Sequence, residues 1–179
     1  MGSCCENGNK NDEIKNINYI LAEIEIEKDD VNKDIRIINT FEESKRKYDW
    51  DYKYKNEKEI KGNCTIQIND KYITFNYLYK FTEKGKYTIK YSFKKYIRNV
   101  AFMFSECNSL TNINLSNFNT QYVTDMSWMF SKCNSLTNID LSNFNTQNVI
   151  DMSHLFTNCK SLPNINLSNF NTQNVINMS

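Results

Sequence analysis

The sequence predicts an α+β fold: a short solenoid, one strand plus one short helix per 26-residue repeat, capped by a small N-terminal all-β domain. Three observations carry that prediction. Nearly the same 26 residues are written at "NSLTNINLSNFNTQYVTDMSWMFSKC" from Asn108 and at "NSLTNIDLSNFNTQNVIDMSHLFTNC" from Asn134, and a further copy starts behind them. The charge is split: residues 1–99 hold 20 basic and 17 acidic side chains, residues 100–179 only 2 and 4. Ahead of the repeats, apolar residues alternate with polar ones over several short runs, the two-residue period of strands with one buried face.

The elements follow in chain order. Residues 1–16 read as a disordered leader. Residues 17–96 read as the all-β domain, with five strands expected. "YILAEIEIE" sets Ile20, Ala22, Ile24 and Ile26 against Leu21, Glu23, Glu25 and Glu27, and "DIRIIN" puts Ile35 and Ile37 on one face. "CTIQINDKYITF" is a hairpin turning at Asn69-Asp70, residues that tolerate φ > 0. "GKYTIKYSF" aligns Tyr87, Ile89, Tyr91 and Phe93. Between them, "EESKRKYDWDYKYKNEKEIKG" reads as a long charged loop or a poorly packed strand.

Residues 97–179 hold the repeats, as copies 97–122, 123–148 and 149–174 and a fragment at 175–179. The copies align Cys107/Cys133/Cys159, Ile113/Ile139/Ile165, Leu115/Leu141/Leu167, Phe118/Phe144/Phe170 and Met126/Met152/Met178. "LTNINL" alternates as a strand with Ile113 and Leu115 inward. In "VTDMSWMF", Val123, Met126, Met129 and Phe130 recur at three- and four-residue steps, the face of a short helix that Thr120 or Thr124 would cap. One copy cannot offset its own ordering by burial, so the copies must stack. A period in the twenties with L-x-x-I-x-L marks the leucine-rich-repeat type. The last lines, "NVINMS", stop before the next expected "MF" and Cys, which reads as truncation in preference to a bare end awaiting a partner.

The run "LSNFNT..V..M...F..C" resembles the BspA-type leucine-rich repeat of bacterial and protist surface proteins, over residues 97–179; Ile150 stands where that pattern favours Thr, and Leu155 replaces Met. The resemblance implies a strand-plus-helix solenoid with an exposed polar face used for binding. It implies no enzymatic activity, lends no catalytic residues and calls for no cofactor.

Candidate sites are few. Gly2 is the N-myristoylation position once Met1 is removed, and Cys4 and Cys5 are placed for palmitoylation, although Glu6 stands where Ser or Thr is expected. Two acyl chains make a stable anchor where one does not, so the expected location is the cytoplasmic face of a membrane. The alternatives are the cytoplasm or the cell surface. The outward strand positions Asn112, Asn114 and Ser116, then Asn138, Asp140 and Ser142, then Asn164, Asn166 and Ser168, form a candidate binding face of amides and hydroxyls for a protein or a glycan. Sequons at Asn63, Asn114, Asn166 and Asn177 would matter only on export.

Other features read as structural. Cys107, Cys133 and Cys159 are one repeat apart, not at the two-to-five-residue spacing of zinc ligands, and read as small core residues, as does Cys64. His154, the one histidine, aligns with Phe102 and Trp128 and reads as a tolerant site on the helix. Lys45-Arg46-Lys47 with Tyr48, Trp50, Tyr52 and Tyr54 could suggest nucleic acid. The acidic residues interleaved with that run nearly cancel its charge, so no nucleic-acid partner is expected. The function expected is a non-catalytic interaction or scaffold module, with a cell-surface adhesin-like protein as the alternative.

Overall fold

The computed structural model describes residues 18–45 and 55–178. Strands β1 (Tyr19–Ile26), β2 (Asp34–Arg36), β3 (Cys64–Ile68), β4 (Lys71–Ile73), β5 (Leu78–Lys80), β6 (Gly85–Phe93), β7 (Leu110–Asn114) and β8 (Asn138–Asp140) are joined by a 3-10 turn at Lys28–Asp30 and by helices α1 (Phe41–Lys45) and α2 (Glu57–Asn63). Six strands make one mixed sheet in the order β4-β3-β6-β1-β7-β8, and β2 and β5 make a separate antiparallel pair. Within the large sheet β7 and β8 are parallel, at the 26-residue offset, and the other pairings are antiparallel.

The alternating runs behave as their period requires. Ile20, Ala22, Ile24 and Ile26 of β1 are buried, and so are Ile89, Tyr91 and Phe93 of β6, which pairs with β1 along its whole length. The β3–β4 hairpin turns at Asn69 and Asp70 with φ of 44° and 64°.

The expected solenoid of strand plus helix on a separate all-β cap is not what the chain builds. The molecule is mostly β, centred on the mixed sheet, with two short α-helices among the described residues, both ahead of the repeats. β1 hydrogen-bonds to β7, so the sheet runs without a break from the N-terminal region into the first copy. One main cluster of buried apolar side chains likewise extends from Ile20 to Leu155. The charged segment expected as loop or poor strand contains α1 and α2 at its ends; its middle, residues 46–54, lies outside the described residues.

The expected helix fails for a specific reason: its amides are spent elsewhere. Met126, Trp128, Phe130 and Lys132 donate their backbone N–H groups to the carbonyls of Asp151, Ser153, Leu155 and Thr157 in the following copy, at 2.8–3.0 Å. Val100, Phe102, Phe104 and Glu106 do the same toward Asp125, Ser127, Met129 and Ser131. An amide that bonds sideways cannot bond to its own i−4 carbonyl. The chain instead forms successive tight turns, with Met129 N–H to Met126 O at 3.2 Å and Ser131 N–H to Trp128 O at 3.1 Å. Residues in the left-handed region recur at every turn: Phe102 and Glu106, Trp128 and Lys132, His154 and Asn158, with φ from 56° to 64°. Val123, Met126, Met129 and Phe130 still point into the core, fully buried. Thr120 does not cap a helix either; its hydroxyl oxygen accepts the Asn145 N–H of the next copy at 2.8 Å.

The first copy has no copy before it, and three side chains fill that place. Asn39 donates through its backbone N–H to Met103 O (2.7 Å) and through Nδ2 to Ser105 O (2.9 Å). Asn56 Nδ2 donates to Ala101 O at 2.7 Å, while its Oδ1 accepts Phe41 N–H at 2.9 Å. The Glu59 carboxylate accepts Arg98 N–H (2.8 Å) and Asn99 N–H (3.3 Å). These are the backbone groups that, one copy later, bond to the preceding copy.

Candidate functional site

The outward strand positions are where the alternation puts them. Ile113 and Leu115 are buried, while Asn112 is half-buried and Asn114 exposed on the other side; Asn138, Asp140 and Ser142 and then Asn164, Asn166 and Ser168 are exposed. In the third copy these residues do not form a strand. The polar groups are engaged with one another. Asn138 Nδ2 donates to Asn112 Oδ1 at 3.1 Å, and beside that face Asn134 Nδ2 donates to Asn108 Oδ1 at 2.9 Å. Asn114, Asp140 and Asn166 each accept, through Oδ1, the backbone N–H of the serine two residues on, at 2.9–3.0 Å. Ser142 thereby holds the Asp140 carboxyl below its ordinary pKa. On this face the amides of Asn112, Asn114, Asn138 and Asn166 and the Asp140 carboxylate have fixed orientations, each keeping part of its bonding capacity for solvent or a ligand.

The other singled-out residues fall as follows. Gly2, Cys4 and Cys5 lie outside the described residues, as do Arg46, Lys47, Tyr48, Trp50, Tyr52 and Tyr54 of the basic aromatic run. Cys64, Cys107, Cys133 and Cys159 are free thiols; burial pushes Cys64 and Cys107 up to about 12 and Cys133 well above the usual thiol value. Cys133 donates from Sγ to Phe104 O and Cys159 to Phe130 O, both at 3.0 Å, so each thiol links its copy to the one before. No group of three or more possible metal ligands occurs among the described residues. His154 belongs to a column of rings. Phe102 stacks on Trp128 with centroids 5.8 Å apart and 6° between planes, and His154 lies 4.0 Å beyond Trp128. All three have positive φ, so the shared property is a turn position, not a helix surface.

Two features escaped the sequence reading although the alignment of copies contains them. Asn99, Asp125, Asp151 and Asn177 form a ladder of parallel bridges, with Asn99 Nδ2 donating to Asp125 (3.3 Å) and Asn177 Nδ2 to Asp151 (2.9 Å). Tyr96 and Tyr122, also 26 residues apart, leave their rings exposed and 4.8 Å from each other beside a groove that includes Arg98 and Asn148.

Among the described residues no helix is long and apolar enough to cross a membrane. Residues 74–179 match the family model described as "Mycoplasma protein of unknown function, DUF285". No curated protein and no solved structure matches the chain.

Proposed function

The chain belongs to the DUF285 family, whose function is unknown, and on that premise we propose that it is a non-catalytic interaction module acting as a scaffold. The observation that carries this reading is the fixed strand face: Asn112 and Asn138 bonded to each other, with Asn114, Asp140 and Asn166 each locked onto the following serine. A surface whose side chains are already ordered loses less conformational entropy when a partner docks. The resemblance to BspA-type surface repeats supports the same use of this face. In this reading a myristoyl chain on Gly2 and palmitoyl chains on Cys4 or Cys5 hold the module at the cytoplasmic face of a membrane, and the polar face selects a protein partner.

A second reading places the same module at the cell surface as an adhesin-like protein recognising protein or glycan. The exposure of Asn114 and Asn166, both in sequons, favours it. Intact mass of the chain expressed in a eukaryotic cell, beside Gly2→Ala, separates the two. A shift matching myristate plus palmitate that the substitution abolishes supports the anchored scaffold; an unmodified mass removes the anchor. The module itself is tested by in-cell cross-linking with Asn112→Lys/Asn138→Lys. Partners captured by the wild type and lost from this variant support the face as the binding surface, and unchanged capture rejects it.

A further inference from the structure

A second column of equivalent residues crosses the copies. Arg98, Thr124, Ile150 and Ile176 occupy equivalent places, and the amides of Thr124, Ile150 and Ile176 each donate to the carbonyl of the preceding member at 2.8 Å. The backbone along this column is therefore occupied, and what it offers a ligand is side chains. Next to it stand Tyr96, Tyr122, Asn148 and Asn174, again 26 residues apart. The groove between the two columns has Arg98, Tyr122, Thr124, Asn148, Ile150, Asn174 and Ile176 in its walls, the two isoleucines exposed.

Four properties of these residues bear on what the groove accepts. Tyr96 and Tyr122 are 39% and 43% exposed, and neither hydroxyl has a partner among the described residues. Asn148 and Asn174 are fixed by Nδ2 donating to Gln121 O (2.7 Å) and Gln147 O (2.8 Å), which leaves Oδ1 of each as an acceptor. The exposed guanidinium of Arg98 makes no ion pair among the described residues. The lining holds no carboxylate and no second cation. A ligand suited to these walls brings a flat C–H face for a tyrosine ring, hydroxyl donors for the amide oxygens and one anionic group for Arg98.

We propose that this groove binds an acidic oligosaccharide, with a pyranose ring against Tyr122, hydroxyls donating to Asn148 and Asn174, and a carboxylate or sulfate on Arg98. The proposal rests on the reading of the chain as a recognition module and gives that module a ligand class on a different face. An extended peptide fits less well. The groove runs across the copies, where the Tyr96 and Tyr122 rings stand 4.8 Å apart, whereas a peptide presents like-facing side chains every ~6.8 Å and loses register within two steps. Its backbone would also find no unpaired partner in the column.

The test is calorimetric titration of the full chain with three hexasaccharides, from hyaluronan (carboxylate), heparin (carboxylate and sulfate) and cellulose (neutral), and with an oligoglutamate peptide. The variants are Arg98→Thr and Tyr122→Asn, which install the residues found at Thr124 and Asn148, so the fold keeps groups it already uses at those places; melting curves check this. Tyr72→Ser, at an exposed position of β4 on the opposite edge of the sheet from β8, is the control. The expected result is binding of at least one acidic hexasaccharide, about tenfold or more weaker with either groove variant and unchanged in the control. Equal binding of the neutral hexasaccharide, indifference to Arg98→Thr, tighter binding of oligoglutamate, or no sugar binding at all would each overturn the proposal. The last outcome leaves the module reading standing, since that is judged by partner capture through Asn112 and Asn138.

Discussion

Asp125 is a carboxylate in a ladder that begins and ends with amides. Its Oδ1 accepts the Ser127 N–H (2.9 Å) and hydroxyl (2.7 Å), and Asp151 repeats the pattern with Ser153 at 2.8 and 2.6 Å. Burial raises Asp125 above the ordinary carboxylate value; Ser127 pulls it down by less, and the charge of Asp151 adds to the rise. At Asp151 burial pushes the same way, but Ser153, Asn177 and His154 outweigh it and leave the group lowered. The signs differ accordingly. Asp151 contributes stability that is present above the unfolded carboxylate range and lost as pH falls. Asp125 contributes stability that is present below that range and lost as pH rises through its raised value. Asp125→Asn, which writes the residue of Asn99, should therefore raise the melting temperature at pH 7, and the gain should shrink as pH falls toward 3. A uniform loss at both pH values would contradict this account. For the thiols, Cys107 and Cys133 should resist iodoacetamide in the native protein and react once denaturant is added, as peptide mapping would register; rapid native alkylation would mean that these sites open readily. The burial of these cysteines was legible from their one-repeat spacing. The ladder was missed because Asn and Asp are interchangeable as acceptors, so its members do not look alike in sequence.

At the scale of elements, the strands with a two-residue period were legible and the turns were not. The spacing of Val123, Met126, Met129 and Phe130 suits a helix face, and it suits equally a series of turns that send the same side chains inward. Nothing local announces that the intervening amides bond to another copy, and a Trp or Phe at positive φ runs against local preference. Helix α2 was missed because a segment rich in Lys and Glu shows no apolar period; Ile60 is its one buried residue. The residues that stand in for a preceding copy give the sharpest prediction here. Asn56→Ala removes the donor to Ala101 O and the acceptor of Phe41 N–H, both bonds being buried, at roughly 1–3 kcal/mol each. Urea unfolding should show a loss of about 2–5 kcal/mol, against less than about 0.5 kcal/mol for the more exposed Asn138→Ala. Comparable small effects at both positions would mean that water replaces Asn56.

At the scale of the molecule, Phe104 joins what the sequence presented as two regions. Its ring meets Tyr91 of β6 edge-on at 5.3 Å and stacks on Phe130 of the next copy at 5.8 Å. The composition shift near Tyr96 suggested a boundary, but a change in surface charge says nothing about whether a core is shared. With β1 bonded to β6 on one side and to β7 on the other, the charged region and the polar region should unfold together. Phe104→Ala should cost about 3–5 kcal/mol, and circular dichroism and Trp fluorescence should report a single transition with coincident midpoints in the wild type and, at a lower midpoint, in the variant. Two separated transitions would show that the copies fold apart from the strands before them.

Asn39, Asn56 and Glu59 also govern how such a gene can change length. Because side chains from outside the repeats satisfy the first copy, and each later copy satisfies the next through its backbone, the bonding scheme contains no count. An in-frame duplication or deletion of 26 codons within the repeats leaves the backbone bonding pattern at every junction the same. Unequal recombination between near-identical segments can then vary the reach of the molecule among descendants while its N-terminal sheet is inherited unaltered.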